Sequence, residues 1–175
     1  MINQQILSND KRLVNTEYKV SNVSSFAEVW ECSIGGEKSL HATVTLIPGD
    51  IICDFGSKQV LTEPSYLSVQ VNEHEHIILN PEFLQYINHS CEPNVFFDTQ
   101  NLVLTCLRPI EIGEEMTFFY PSTEWQMSRP FKCFCETPAC LGYIQGAAYL
   151  HSEILHKYKL THFIQQQLEN SVVST

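Results

Sequence analysis

From Val29 to Tyr120 the chain alternates short apolar runs with turn residues, the pattern of many short strands rather than of long helices. Thr43-Val44-Thr45-Leu46-Ile47 and Ile51-Ile52-Cys53-Asp54-Phe55 flank Pro48-Gly49-Asp50. Proline presets φ for a turn and glycine supplies positive φ, so this segment predicts strand, tight turn, strand. Asn101–Arg108 and Met116–Tyr120 repeat the logic across a longer connection through Gly113. Residues 1–25 are polar and weakly patterned, and predict a loosely ordered lead-in with one strand near Thr16–Val20. At the other end, Ala147, Leu150, Ile154, Leu155, Tyr158, Phe163, Ile164 and Leu168 suit one amphipathic packing helix over 147–168. Its histidines, His151, His156 and His162, are spaced five and six apart, do not share a face, and read as surface residues.

A length of 175 residues suits one mainly β domain. No apolar run approaches the roughly 18 residues of a membrane span, and the first ten residues lack a basic n-region and an apolar h-region. An intracellular protein without membrane contact is expected. The formal charge of −10, with ten scattered Lys and Arg, argues against direct nucleic-acid binding, which draws on clustered cations. An acidic surface can steer a basic peptide, although it is also the ordinary face of a soluble protein.

Seven cysteines are placed unevenly: Cys133-Phe134-Cys135-Glu136-Thr137-Pro138-Ala139-Cys140 holds three of them. Tetrahedral zinc takes thiolates about 2.3 Å away, and this spacing lets one loop supply three. The alternative is a disulfide plus a spare thiol, which a reducing compartment, an odd total and the tight spacing disfavour. Cys32, Cys53 and Cys106 sit in strand-like apolar runs and read as core residues. Cys91, in the polar loop Asn88-His89-Ser90-Cys91-Glu92-Pro93-Asn94, is the candidate fourth ligand.

That loop resembles the N-H-S-C-x-P-N signature of SET-domain lysine methyltransferases. Downstream, Gly113-Glu114-Glu115-Met116-Thr117-Phe118-Phe119-Tyr120 looks like the family's G-E-E-L-T-x-x-Y strand. Cys133-x-Cys135-x4-Cys140-x-Gly142 looks like its post-SET zinc motif. Tyr66-Leu67-Ser68-Val69-Gln70-Val71, Thr123-Glu124-Trp125 and Pro130-Phe131 extend the similarity to a group of short SET proteins, over roughly residues 40–150. The resemblance implies a SET-domain β-clip fold with a pseudoknot, a post-SET zinc site and a C-terminal helix. It divides the chain into a lead-in (1–28), the SET domain (29–122), a post-SET zinc segment (123–146) and a C-terminal helix and tail (147–175).

The activity it implies is methyl transfer from S-adenosylmethionine to a lysine ε-amine of a protein or peptide, with structural Zn2+ held by Cys91, Cys133, Cys135 and Cys140. Tyr120 is the implied catalytic tyrosine. Asn88, His89, Leu40 and Phe131 are implied to hold the cofactor, and Tyr66 and Phe118 to wall the lysine channel. Phe118, where some relatives carry Tyr, implies room for more than one methyl.

The match departs from the family at Gly36-Glu37-Lys38-Ser39-Leu40-His41-Ala42, where Glu37 and Ser39 stand in place of the G-x-G glycines. Glycines there let backbone approach the cofactor. The departure leaves open a turn relocated to Gly35-Gly36, weakened cofactor binding or loss of the reaction. Beside protein-lysine methylation stand two other readings, a non-catalytic SET-like binding module and a methyltransferase for a small amine or peptide natural product.

Overall fold

The computed structural model describes the backbone of residues 2–7 and 13–173 and the side chains of 17–171; residues 1, 8–12, 174 and 175 of the expected lead-in and tail lie outside the described residues. Strands β1 (Ile2–Leu7), β2 (Leu13–Asn22), β3 (Ala27–Cys32) and β4 (Lys38–Ala42) form an antiparallel sheet in that order. Residues 2–7 and 13–22 are therefore strand rather than loose lead-in. β2 contains the predicted strand, and its pairing with β1 from Leu13 to Tyr18 and with β3 from Tyr18↔Cys32 to Asn22↔Glu28 makes it regular despite weak patterning. In β4 the alternation sends Leu40 and Ala42 into the core.

A second sheet runs β6 (Gly56–Leu61), β8 (His76–Asn80), β7 (Ser68–Gln70), and a third runs β10 (Val95–Asp98), β11 (Val103–Cys106), β5 (Ile51–Asp54). Pro48-Gly49 does make the predicted turn, with Asp50 N–H donating to the Ile47 carbonyl at 3.1 Å. The hairpin around it does not form. β5 pairs with β11 instead, and Thr43–Ile47 stays irregular except for a single bridge from Leu46 to Ile110. The three sheets enclose one core that includes Leu40, Leu79, Ile87, Phe97, Leu104 and Met116. Cys106 is buried as predicted, whereas Cys32 and Cys53 are only half-buried.

Two short segments matter most for function. β9 (Asn88–His89) lies parallel to β12 (Thr117–Phe118), with Thr117 opposite Asn88 and Phe118 opposite His89. A 3-10 turn, Tyr120–Ser122, follows β12 directly. β13 (Phe131–Lys132) and β14 (Tyr143–Ile144) then bracket the cysteine loop.

The expected single helix over 147–168 is broken into a 3-10 turn at Ala147–Tyr149, α1 (Ser152–Leu155) and α2 (His162–Val173). Tertiary bonds interrupt it. Ala147 and Ala148 donate to the carbonyls of Glu124 and Trp125, and a Cβ at Gly146 would meet the Trp125 carbonyl oxygen at 2.5 Å, so only glycine fits. Further on, Tyr158 leaves helical geometry to stack on Phe119, with centroids 3.7 Å apart. Thr161 N–H donates to the Ser122 carbonyl before α2 begins. Ala147, Leu155, Leu160, Phe163 and Ile164 pack with Phe119 as a second core, while His151, His156 and His162 are exposed.

Candidate active site

The Asn88–Asn94 loop is held against β12 by its last residue. Asn94, fully buried, accepts from Thr117 N–H at 2.7 Å and donates to the Glu115 carbonyl at 2.8 Å. Ser90 N–H and Asn94 N–H donate to the carbonyls of Phe118 and Thr117. This clamp brings together residues some thirty positions apart in sequence, and it fixes how Asn88 and His89 face Phe118 and Tyr120.

Asn88 Nδ2 donates to the Lys38 carbonyl at 3.1 Å and to Glu115 Oε1 at 2.8 Å. Both amide protons are thus occupied, and the side chain offers its oxygen as the remaining polar atom. His89 Nδ1 accepts from Tyr120 N–H at 3.3 Å, so the proton of the neutral ring sits on Nε2, 3.4 Å from Cys91 Sγ. Burial drives the imidazole down to about 4, which keeps it neutral at physiological pH. The Tyr120 hydroxyl donates to the Ile87 carbonyl at 3.4 Å; burial, with the Glu115 charge adding to it, pushes this phenol up to about 12.

These residues open on a cavity of about 1070 Å³, whose wall includes Tyr66, Asn88, His89, Phe118, Tyr120 and Phe131. Ligand pockets commonly measure ~300–1,000 Å³, so there is room for a nucleoside-sized cofactor and a side chain together. Phe118 meets the Phe97 ring edge-on at 4.9 Å and lies 4.6 Å from Tyr120, which makes it core and cavity wall at once. Phe131 lies 5.6 Å from His89 and 5.9 Å from Tyr120. Tyr66 is 64% exposed at the mouth, with the Arg129 guanidinium over its ring at 4.7 Å.

Leu40 stands apart from the other residues expected to hold the cofactor. It is completely buried, packs in the main core and does not line the cavity; its carbonyl accepts from Met116 N–H at 2.8 Å. Strand alternation is the reason, because the core face of β4 takes Leu40. The same alternation turns Ser39 to the other face of β4. Its hydroxyl hydrogen-bonds His41 Nε2 at 2.9 Å and does not line the cavity, while His41 Nδ1 meets the Gly113 carbonyl at 2.9 Å and its ring stacks on Trp30. Glu37 does line the cavity, and the turn before it runs through Gly35 and Gly36, both at positive φ.

Cys91, Cys133, Cys135 and Cys140 place their sulfurs within 4.8 Å of one another, with Cys91 and Cys133 at 4.0 Å. Tetrahedral zinc with bonds of about 2.3 Å separates its thiolates by about 3.8 Å, so this donor set fits Zn2+. Leu141 N–H donates to Cys91 Sγ at 3.3 Å. Burial pushes the Cys91 thiol far up and Cys133 to about 11. At Cys135 burial also opposes ionisation, yet hydrogen bonds from the Thr137 hydroxyl and nearby backbone prevail and bring it down to about 6. A divalent cation would reverse the state of the other thiols, since coordination deprotonates them.

Four residues of the site carried no role in the sequence reading. Asn94 and Glu115 lie inside the quoted signatures and could have been flagged as their structural members. Glu124 lies in Thr123-Glu124-Trp125, and Arg129 had no signal at all. Among the described residues no helix is long and apolar enough to cross a membrane.

The sequence profile of the SET domain matches residues 4–121. The methyltransferase flvH of Aspergillus flavus is 36% identical over 132 residues, which is 74% of this chain and 74% of that protein. The histone-lysine N-methyltransferase of Schizosaccharomyces pombe specific for H3 lysine-36 is 30% identical over 87 residues, 46% of this chain and 11% of that much longer protein. The methyltransferase domain of human histone-lysine N-methyltransferase SETMAR superposes with a TM-score of 0.47 at 15% identity, over 77% of this chain and 60% of that one. With a profile match over most of its length and a relative of similar size, this mainly β chain with its cluster of four cysteines belongs to the SET-domain methyltransferase family.

Proposed function

We propose that the protein transfers methyl groups from S-adenosylmethionine to the ε-amine of a lysine side chain in a protein or peptide. The observation that carries this reading is the convergence of Asn88, His89, Phe118, Tyr120 and Phe131 on one cavity beside the four-cysteine cluster. S-adenosylmethionine supplies an electrophilic methyl group on a sulfonium. Asn88 offers a carbonyl oxygen suited to an ammonium group, and the amide is locked that way by Lys38 and Glu115. Phe131 presents a ring to adenine. Tyr120 and Phe118 exclude water around the amine and align it, which for an in-line displacement is most of the catalysis.

Zinc at the four cysteines would tie β13 and the loop after it to Cys91, closing the wall that carries Phe131. Support for lysine as substrate comes from histone-lysine enzymes of yeasts and of Drosophila melanogaster among the relatives. A second reading is methylation of a small free amine: the name of the methyltransferase flvH, which aligns with 74% of this chain, specifies no histone or lysine substrate.

The test is calorimetric titration of zinc-replete protein with S-adenosylmethionine, with Asn88→Ala as control, followed by mass spectrometry on peptide pools and on free alkylamines. Cofactor binding that the substitution abolishes, with methylated lysine peptides, is the expected result. Turnover on free amines alone would transfer the conclusion to the second reading. No binding by folded, zinc-loaded protein would leave a non-catalytic module.

A further inference from the structure

Glu124 is the one carboxyl on the cavity wall that is almost wholly buried, at 7% exposure. Its N–H donates to the Tyr120 carbonyl at 3.1 Å, so it sits one tight turn beyond that residue. Oε1 is fixed, accepting from Gln70 N–H at 2.8 Å and from the Thr123 hydroxyl at 3.4 Å. Oε2 receives no hydrogen bond among the described residues. Its nearest charged or chargeable neighbour is His76 Nδ1 at 3.8 Å, itself a buried atom with no hydrogen-bond partner.

Among the described residues no cationic group other than His76 lies within 4.0 Å of this carboxyl. Burial holds His76 in its neutral form, though Glu63 opposes that. Tyr120 is an un-ionised phenol, and the Arg129 guanidinium in the same cavity stacks over Tyr66 instead. Burial accordingly pushes the Glu124 carboxyl up to about 8, against the hydrogen bonds from Gln70 and Thr123. A buried carboxyl without a cation is costly, and one facing a cavity finds its counter-charge in whatever enters.

We propose that Glu124 is the recognition group for the incoming amine: a primary alkylammonium enters the cavity and pairs with Oε2, losing one proton to solvent as it does so. The inference rests on the methyltransferase reading for its purpose, because an amine must shed a proton before its lone pair can attack. The balance is simple. Below pH 8 a neutral carboxylic acid and an ammonium meet, and the pair they form, carboxylate with ammonium or acid with free amine, holds one proton fewer than the separated groups. Attack proceeds from the form with acid and free amine, in which the proton has passed from nitrogen to Oε2: the nitrogen lone pair forms the bond to the methyl carbon, and the electrons of the broken carbon–sulfur bond stay on sulfur.

The experiment is calorimetric titration of the zinc-replete protein with n-butylamine hydrochloride at pH 7, in two buffers of different ionisation heat. The wild type is expected to bind saturably and to release about one proton per amine, the linkage of a raised carboxyl to a cation. Glu124→Gln keeps the acceptor for Gln70 N–H, and is expected to bind at least about tenfold more weakly, the loss of one charged hydrogen bond, with no proton released. Should that variant fail to fold, Glu124→Asp, which keeps the charge but withdraws it by one methylene, must still show reduced affinity. No saturable binding by the wild type, or equal affinity and equal proton release in Glu124→Gln, would overturn the proposal. S-adenosylmethionine is titrated separately: if it does not bind, the methyltransferase reading fails, while the amine titration still judges Glu124.

Discussion

Replacing Asn94 by alanine tests how the site is assembled. The side chain makes a buried two-way clamp, accepting from Thr117 N–H at 2.7 Å and donating to the Glu115 carbonyl at 2.8 Å, with a weaker bond to Glu114 Oε1 at 3.4 Å. Alanine strands the Thr117 amide and the Glu115 carbonyl, and each unsatisfied buried group costs about 1–3 kcal/mol, so a loss of about 3 kcal/mol is expected. In a chain of this size each kcal/mol moves the melting temperature by roughly 2–4 °C, giving a fall of roughly 6–12 °C by thermal circular dichroism. Cofactor affinity should fall too, because the parallel contact of β9 with β12 presents Asn88. Asn94→Asp separates the two halves of the clamp: it keeps the acceptor for Thr117 but sets a carboxylate against the Glu115 carbonyl and Glu114, so it should be worse than alanine at pH 7. A melting temperature for Asn94→Ala within about 2 °C of wild type, well inside the smallest shift expected, would refute the clamp.

Removing metal with a chelator should lower both the melting temperature and cofactor affinity, and zinc should restore both; unchanged affinity after verified removal would show that the four cysteines do not shape the cavity. Phe118→Tyr adds a hydroxyl to a cavity wall 4.6 Å from Tyr120 and should shift products on a verified substrate toward monomethylation, read by mass spectrometry. Glu124 should make the wild type pH-sensitive. Its carboxyl is raised from an ordinary 4.5 to about 8, so the stability of the neutral form is fully present below about pH 4 and is lost as pH rises toward 8. Glu124→Gln should flatten that slope in denaturant titrations between pH 5 and 8.

What the sequence made legible were the features carried by local residue types. Three of the four thiols that meet in space are neighbours in Cys133–Cys140, and the turn at Pro48-Gly49 follows from two residues with restricted or permissive φ. The rest depended on partners distant in sequence. The hairpin predicted around that turn lost to pairing of β5 with β11, which no local pattern encodes. The helix over 147–168 had the right apolar period, but backbone bonds to Glu124, Trp125 and Ser122 outcompeted continuous helix. Leu40 was adjacent to the right loop and points into the core, a matter of strand parity that one residue of register decides. Glu124 belongs to the shared Thr123-Glu124-Trp125 motif, yet its burial beside the cavity depends on Gln70 and His76, some fifty residues earlier.

His89 links the two halves of the site more tightly than the signature suggests. Its Nδ1 accepts the backbone N–H of Tyr120, and its Nε2 lies 3.4 Å from Cys91 Sγ. With the ring neutral, Nε2–H points at the sulfur, and a proton donor beside a metal-bound thiolate stabilises it and fixes the ring that donates. The ring is also packed by Phe119, Tyr120 and Phe131, at 5.8, 5.2 and 5.6 Å. Any change that moves Cys91 must therefore move His89, and with it the backbone of Tyr120 and the ring of Phe131. Loss of metal would act on the cavity through this chain of contacts even though no cysteine needs to touch the reacting amine, which is why the four-cysteine cluster and the cavity are expected to fail together.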